Sequence, residues 1–451
     1  MEESTTSLLE REVEYYENCP GCKTDRLKQE QTGVPYKHLS FIWIVSLCTA
    51  LPISSLFPFV YFMIRDFHIA KREEDIGFYA GFVGSSFMVG RALTSLFWGV
   101  VADRYGRKPI ILMGIFSVVV FNTLFGLSTS FWMALSMRFL LGCFNSLLGT
   151  IRAYASEVCR EEYRALALSV VSTSRGIGLI IGPAIGGFFA QPAEKYPNVF
   201  TESSIFGRFP YFLPCLIISV YSVGVLIACR WLPETLHRHG GKGNQKHDPY
   251  DMSEPCLNES GRKNNIVELE ERQTHKLNLL KNWPLMSTII VYCVFSLQEM
   301  AYSEIFSLWA VSDKKYGGLS FSSQEVGEVL AISGFGLLLF QLLLYPPVEK
   351  ILGPLMVTRL SAVSLVTGLF ILQNNAVPRS QRGAANGISI TAMSVFKAFG
   401  PAGGGALFSW AQKRQVTNFL PGDQMVFFVL NLVQVVGLML TFKPFLTEPR
   451  S

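Results

Sequence analysis

Residues 98–109 read WGVVADRYGRKP and separate two apolar stretches at 77–97 and 110–128. This segment holds one acid and three bases, together with Gly99 and Gly106, which permit a sharp turn and a close approach of two helices. An apolar stretch of about 20 residues has the length that a helix needs to cross a hydrocarbon core of about 30 Å. The segment therefore predicts a tight turn between two membrane-spanning helices.

Apolar stretches of this length recur along the chain, which has 451 residues, 49% of them hydrophobic and 16% charged. An ordinary soluble protein carries about 25% charged residues. Lipid cannot pair with backbone amides, and the alternating pattern of a transmembrane barrel is absent, so the spans must be helices. We predict an all-α polytopic membrane protein with spans at 39–63, 77–97, 110–128, 131–151, 166–190, 210–231, 285–309, 326–346, 384–409 and 424–446.

Basic residues cluster after the even-numbered spans, at Arg104, Arg107, Lys108, Arg160 and Arg164 and in the polar segment 237–283. Because positive residues favour the cytoplasmic side of short loops, we expect these spans to end in the cytosol. The polar leader before the first span does not resemble a cleaved signal peptide, so the N-terminus is expected there as well. The bases are interrupted by spans and mixed with acids, which argues against nucleic-acid binding.

The polar segment after the sixth span has the composition of a linker and divides the spans into two groups. Such a division is typical of two parallel-repeat halves. We predict a cytosolic leader at 1–38, a six-helix bundle at 39–232, a linker at 233–283, an incomplete second bundle at 284–446 and a tail at 447–451.

The two halves differ in length. Gly182, Pro183, Gly186 and Gly187 recur as Gly400, Pro401, Gly404 and Gly405 at an offset of 218, whereas the offset from Asp103 to Glu349 is 246. The offsets differ by roughly 28 residues, which is the length of one helix and a short turn. The remaining apolar core at 360–372 is too short to span comfortably. We therefore expect 10 to 11 spans, with about one helix removed from the second half by splicing or deletion. The alternative is that the two halves are naturally unequal.

The charged residues inside predicted spans include Arg138, Glu299, Glu304 and Lys397. Ionisable groups within a membrane are costly and functional by default, and an acid that protonates can exchange a proton for substrate. We predict Glu299 as the carrier of a proton or cation, Glu304 as the second candidate and Lys397 as the counter-charge. A purely structural ion pair is the alternative, as is a solvated Glu304 near the outer surface.

The turn at 98–109 resembles the loop between spans two and three of the major facilitator superfamily, with Gly99, Asp103, Arg104, Gly106, Arg107 and Lys108 at the motif positions. This resemblance implies a two-bundle fold and a gating loop in which Asp103 pairs with a cation or helix N-terminus of the other half. Arg138 resembles the superfamily's span-four Arg associated with proton coupling. Span five, with Arg175 followed by Gly178, Gly182, Pro183, Gly186 and Gly187, resembles the helix-bending antiporter motif.

Two further motifs, Cys19-Pro20-Gly21-Cys22 in the leader and Pro233 to His237 after span six, resemble the plant zinc-induced facilitator-like family. The family implies proton antiport of metal chelators or monovalent cations such as potassium, in the vacuolar or plasma membrane. Two cysteines supply half of the four ligands of a structural zinc site, and His237 and His239 complete it if the leader folds back. An unliganded cysteine pair is the alternative.

The leading hypothesis is a proton-coupled antiporter that works by alternating access and needs no cofactor. Its partners are the lipid bilayer, protons and a small cation, metal chelator or organic solute. The contrasting hypothesis is a shortened, non-transporting isoform that modulates a full-length membrane partner. An enzyme is not expected, because the spans contain no nucleophile-base arrangement, phosphate loop or complete metal triad.

Overall fold

The computed structural model describes residues 16, 19–30, 33–145, 147–237, 281–344, 348, 351, 376–377, 382–414 and 422–446. These residues form helices and turns, and no strand occurs among them. The longer helices are α1 (Pro20–Glu30), α2 (Tyr36–Ser54), α3 (Val60–Asp66), α4 (Ile76–Tyr105), α5 (Arg107–Ser117), α6 (Phe131–Phe144), α7 (Leu147–Val158), α8 (Glu161–Phe189), α9 (Phe212–Ala228), α10 (Trp283–Val311), α11 (Ser323–Leu339), α12 (Arg382–Gln412) and α13 (Asp423–Met439).

Seven helical segments in the described part of the chain are long and apolar enough to cross a membrane. The all-α polytopic fold is therefore confirmed. The expected shortened stretch at 360–372 lies outside the described residues, as do Glu349, most of the linker at 233–283 and the tail at 447–451.

Several predicted spans are interrupted or have other ends. The first, at 39–63, is two helices, because Pro58 has no amide hydrogen to continue the ladder between α2 and α3. The third continues from α5 through a wide turn at Val118–Asn122 to Thr123–Gly126. The fourth reaches Val158 rather than 151, with a break after α6, and the last ends at Met439 rather than 446.

Local caps explain where two helices of the second half begin. Asn282 accepts a hydrogen bond from the amide of Leu285 at the start of α10. Ser322 and Glu325 form a reciprocal capping box at the start of α11. These side chains pair the amide groups that a helix start leaves without partners.

The repeated glycines hold equivalent positions in the two halves. Gly182 and Gly186 of α8 lie against the end of α2, where a Cβ would overlap Ser54 and Ser55. In the second half, Gly400 and Gly404 of α12 lie against α10 less tightly, because a Cβ on them would come no nearer than 3.0 and 3.4 Å to its atoms. Each half thus packs its bent glycine helix on its own first helix, as two parallel repeats would.

The two ends of the bundle differ. The end where α1, the turn at 103–108 and residues 234–237 meet is called the leader face. The other end is called the opposite face. At the opposite face the halves are joined by ion pairs from Lys315 to Glu73, at 2.8 Å, and from Lys413 to Asp75, at 2.5 Å. Backbone contact between Gly405 and Gly77 closes the same end. The opposite face is therefore closed in this conformation.

Candidate functional site

The middle of the bundle contains a group of charged side chains contributed by both halves. Arg91, Arg175, Glu299 and Lys397 each lie within two residues of the middle of α4, α8, α10 and α12 respectively. Transporters with repeated halves bind their substrates at this depth. We call these four residues, with Arg152 and Tyr292, the central cluster.

Glu299 and Lys397 form an ion pair in the central cluster. The Lys397 Nζ atom lies 2.9 Å from Glu299 Oε2. Lys397 is buried, whereas 42% of the Glu299 side chain remains accessible although it lies in the middle of its helix. Arg175 of the first half acts electrostatically on both residues, so the ion pair lies near the first half as well.

The central cluster carries an excess of positive charge. Arg91, Arg152 and Arg175 interact electrostatically with one another, and the first two also with Tyr292. Arg91, Arg152, Arg175 and Lys397 outnumber Glu299, the one carboxylate among the described residues of the cluster. A cleft lined by one sign of charge concentrates solutes of the opposite sign.

A second pair of charged residues, which are not hydrogen-bonded to each other, lies between the central cluster and the opposite face. Arg138 is buried in α6, donates a hydrogen bond of 2.8 Å to the Pro52 carbonyl, and lies over the rings of Phe87 and Phe125. Pro52 belongs to the last turn of α2, where a helix leaves carbonyls without intrahelical partners. The guanidinium is thus held mainly by a carbonyl and two rings.

Glu304 of α10 is the acid of this second pair. It is fully buried, and neither carboxylate oxygen has a hydrogen-bond partner in the described part of the chain. The alternative of a solvated Glu304 is therefore wrong. Arg138 is the charged residue that acts on it electrostatically. Burying a carboxylate without hydrogen-bond partners is costly.

The gating loop is tied to its own half. Asp103 pairs with Arg107 at 2.6 Å, and no group of the second half reaches it among the described residues. Gly106 has φ +111° and leaves room for the Glu234 carboxylate, which accepts hydrogen bonds from the amides of Arg107 and Lys108. The expected pairing of Asp103 with the other half is absent from this conformation, as far as the described residues show.

Gly99 differs from expectation as well. We expected Gly99 to permit a close helix contact, but no described atom lies within 4 Å of a Cβ placed there. Arg104 is exposed. Both therefore face outward at the leader face in this conformation.

The glycines of the helix-bending motif contact both halves. Gly178 lies against Ala50 of α2, and Gly187 lies against Gly327 of α11, which also contacts the Pro183 carbonyl. In α12, Pro401 lies against Gly81 and Gly84 of α4. The motif residues therefore contribute to the helix packing within the first half and to the contact between the halves.

The expected metal ligands meet at the leader face. Cys19 Sγ and Cys22 Sγ lie 3.9 and 3.7 Å from His237 Nδ1. The three ligand atoms all lie within 4.8 Å of one another. His239, the other expected ligand, is outside the described residues.

Sequence reasoning missed three residues of the central cluster: Arg91, Arg152 and Tyr292. Arg91 lies inside the predicted span 77–97 and carried the same signal as Arg138, an ionisable residue in an apolar stretch. Arg152 lies one residue beyond the predicted span 131–151 and was not singled out. Tyr292 carried no distinctive signal in the sequence.

Comparison with known proteins identifies relatives over the full length. The family model described as Major Facilitator Superfamily matches residues 42–376. A protein of Arabidopsis thaliana named "Probable peptide/nitrate transporter" is 66% identical over 489 residues, covering 99% of each chain. "Protein ZINC INDUCED FACILITATOR 1" of the same organism is 57% identical, covering 100% of this chain and 99% of its own.

Solved structures share the fold. A D-xylose-proton symporter superposes with a TM-score of 0.65 at 13% identity, covering 92% of this chain and 98% of its own. A bacterial homologue of the human lysosomal transporter Spinster, in an inward-facing and unoccupied conformation, gives 0.64 at 14% identity, with 93% and 100% covered. At these identities the likeness concerns the architecture alone.

Proposed function

This chain belongs to the plant zinc-induced facilitator-like family of the Major Facilitator Superfamily, and from this premise we propose that it is a proton-coupled antiporter working by alternating access. The family consists of membrane transporters and not of enzymes. What the relatives leave open is the substrate and the coupling to protons. The observation that carries the proposal is the central cluster, which lies at the middle of the bundle and draws residues from both halves.

The substrate proposed here is a solute that carries carboxylates, such as a metal chelator. The cationic side chains of the central cluster outnumber its one described carboxylate, so the cluster repels a bare monovalent cation and attracts an anion. The names of two relatives, which mention peptide, nitrate and zinc, agree with an anionic or chelating substrate. Of the expected substrate classes, the chelator or organic solute is therefore favoured over potassium.

The two intramembrane acids receive different roles. Glu299 already has an ion-pair partner and an accessible surface, which suits a residue that contacts substrate. Glu304 has neither among the described residues, so it suits a residue that binds a proton in the closed state and releases it when water enters. The order of candidates for the proton carrier is therefore reversed from the one that the sequence suggested.

Alternating access follows from the two faces. In this conformation the ion pairs of Lys315 and Lys413 hold the opposite face closed. Opening that face would break these contacts, and Asp103 would become available to pair with the second half at the leader face. The positive-inside distribution assigns the leader face to the cytosol.

The test is transport into sealed vesicles with the leader face outward. An acid interior is imposed, and uptake of a zinc-nicotianamine complex is compared with uptake of potassium, in the wild type and in Glu304→Gln. We expect proton-driven uptake of the complex alone, lost in the variant. Uptake of potassium without the complex would overturn the substrate class, and uptake insensitive to the proton gradient would overturn the coupling.

The contrasting function is a non-transporting, shortened isoform. The alignments with three relatives run over 489, 485 and 486 residues, whereas this chain has 451, so at least 38, 34 and 35 positions have no residue here. This deficit is similar in size to the helix and turn that the second half lacks when its repeat is compared with the first. Restoring about 28 residues near 354–368, enough for one spanning helix and a turn, decides the matter. Transport only in the restored chain would favour the non-transporting reading.

The membrane of residence follows from the same proposal. A chelator antiporter that loads an acidic compartment belongs in the vacuolar membrane, and one that expels solute belongs in the plasma membrane. Imaging of a fluorescent fusion expressed from the native promoter separates the two.

A further inference from the structure

The leader contains the Cys19–Cys22 motif, and the fold brings His237 onto it from a distant part of the chain. Both cysteines are buried, at 1% and 5% exposure, while 47% of the His237 side chain is accessible. The segments are joined by a hydrogen bond from the Gly21 amide to the Leu236 carbonyl and one from the Thr24 hydroxyl to the Glu234 carbonyl. Two buried thiols and one accessible imidazole therefore share a preformed pocket.

The spacing of the ligand atoms matches tetrahedral zinc. Sulfur at about 2.3 Å and nitrogen at about 2.0 Å from a zinc ion, at the tetrahedral angle, lie about 3.6 Å apart. The two thiols lie 3.9 and 3.7 Å from His237 Nδ1, so one ion can contact all three atoms after small movements. The pair of thiols with an imidazole suits zinc rather than a hard cation such as magnesium.

The other ring nitrogen of His237 is oriented by an acid. His237 Nε2 lies 3.3 Å from Asp25 Oδ2. A carboxylate on the outer nitrogen of a metal-binding histidine fixes the ring tautomer and leaves the inner nitrogen free to donate its lone pair. Ordinary packing of two cysteines requires no such arrangement, which makes Asp25 an independent observation in favour of a metal site.

The pocket is mechanically connected to the gating loop. Glu234, three residues before His237, accepts hydrogen bonds from the amides of Arg107 and Lys108. The leader is fastened nearby, because Lys28 donates to the Glu157 carbonyl and Arg107 pairs with the Glu157 carboxylate at 2.9 Å. A metal that joins the leader to His237 would therefore also restrict the movement of Glu234 and Glu157, which hold the gating loop.

We propose that Cys19, Cys22 and His237 form a zinc site, with water in the fourth position, and that zinc bound there clamps the leader onto residues 234–237 and steadies the gating loop. Asp25 is the positioning residue of the site. With three protein ligands and one open position, the metal can exchange with the surrounding solution. The site is then a sensor at the leader face, distinct from the substrate path through the central cluster.

Binding is tested without any transport measurement, so its failure is distinguishable from failure of the proposed antiport. The full chain is purified in detergent under reducing conditions, and zinc is titrated in competition with a chromophoric chelator. We expect one zinc per chain in the wild type and in the matched control Cys143→Ser, and none in the Cys19→Ser/Cys22→Ser double variant or in His237→Ala. Asp25→Asn should retain the stoichiometry with an affinity lower by about 10- to 100-fold.

Cobalt as the probe reports on the ligands directly, because thiolate ligation gives an intense charge-transfer absorption that disappears in the double variant. Hydrogen exchange then tests the clamp: zinc should slow exchange of the Arg107 and Lys108 amides in the wild type and not in His237→Ala. Equal zinc binding in the double variant, or a Cys19–Cys22 disulfide that persists in reductant, would overturn the site. Zinc binding that leaves exchange at these amides unchanged would overturn the clamp.

Discussion

Two acids on one helix have opposite surroundings. Glu299 and Glu304 are both in α10, yet Glu299 is paired with Lys397 and its side chain is 42% accessible, whereas Glu304 is enclosed and its oxygens have no described partner. One carboxyl group has a cationic partner, and the other is enclosed without a hydrogen bond among the described residues. Position in the sequence alone does not tell which acid contacts substrate and which binds the proton, whereas the surroundings of each acid do. The following experiments test this assignment of roles.

The largest effect is expected from Glu304→Gln. Gln mimics the protonated acid in shape and cannot exchange a proton, so the variant should fold normally. A positioned proton-transfer group is worth about 100- to 10,000-fold in catalysed reactions, and we expect proton-driven transport to fall by about 100-fold. Flux into vesicles with an imposed pH gradient provides the measurement, with exposed Glu202→Gln as the control. Full coupling in Glu304→Gln would contradict the assignment of roles.

Lys397→Met should destabilise the protein by about 1–3 kcal/mol, because it leaves the Glu299 carboxylate without its partner. The double variant Glu299→Gln/Lys397→Met should regain most of this loss. Thermal unfolding of the purified chain in detergent, arranged as a double-mutant cycle, gives the coupling energy. A coupling near zero would show that the ion pair contributes nothing to the cluster.

Arg91→Gln removes one positive charge from the central cluster, and we expect the affinity for a carboxylate-bearing solute to fall by about tenfold, or about 1.4 kcal/mol. Competition binding of the zinc-nicotianamine complex measures the change. Arg208→Gln serves as the matched control, since Arg208 lies over the neighbouring Phe209 ring and outside the cluster. A gain of affinity in Arg91→Gln would point to a cationic substrate.

The smallest effect concerns pH at the opposite face. Burial lowers the pKa of Lys195 from 10.5 to about 8, and its Nζ atom donates to Gly187 and Ser323 across the two halves. Between these pH values Lys195 is protonated in the open state, where water solvates it, and deprotonated in the closed state. Closure therefore releases a proton, and rising pH favours closure. Below about pH 8 both states are charged and the preference is constant.

Because Lys195 is only partly enclosed, the change in the opening equilibrium should stay within about 1 kcal/mol. Fluorescence from labels placed across the opposite face, recorded from pH 7 to 11, follows it. Lys195→Met should flatten the profile. A preference for the open state at alkaline pH would show that the sign is wrong.

The sequence predicted the architecture well because its strongest signals are local. Apolar length identified the spans, and the motif at 98–109 identified the family with its two-half organisation. Span ends were less accurate where a single residue decides them. Pro58, for example, divides the first predicted span although it looks apolar in composition.

The central cluster was only partly predictable. Arg138, Glu299, Glu304 and Lys397 were recognised because each is a charge in an apolar stretch, but their partners depend on which helices meet. Nothing local distinguishes the bonded Glu299 from the isolated Glu304. The contact of Cys22 with His237 likewise joins distant segments of the chain, which a motif can suggest and only a fold can bring together.

The glycine contacts between α4 and α12 make the opposite face a seam of main chain against main chain. Gly81 faces the Pro401 carbonyl, and a Cβ on residue 81 would overlap it. The methyl group added by Gly81→Ala would therefore prevent α4 and α12 from closing against each other, without altering any charge or substrate contact. Substitution of the glycines that allow the opposite face to close would therefore hold the molecule in the conformation in which that face is open.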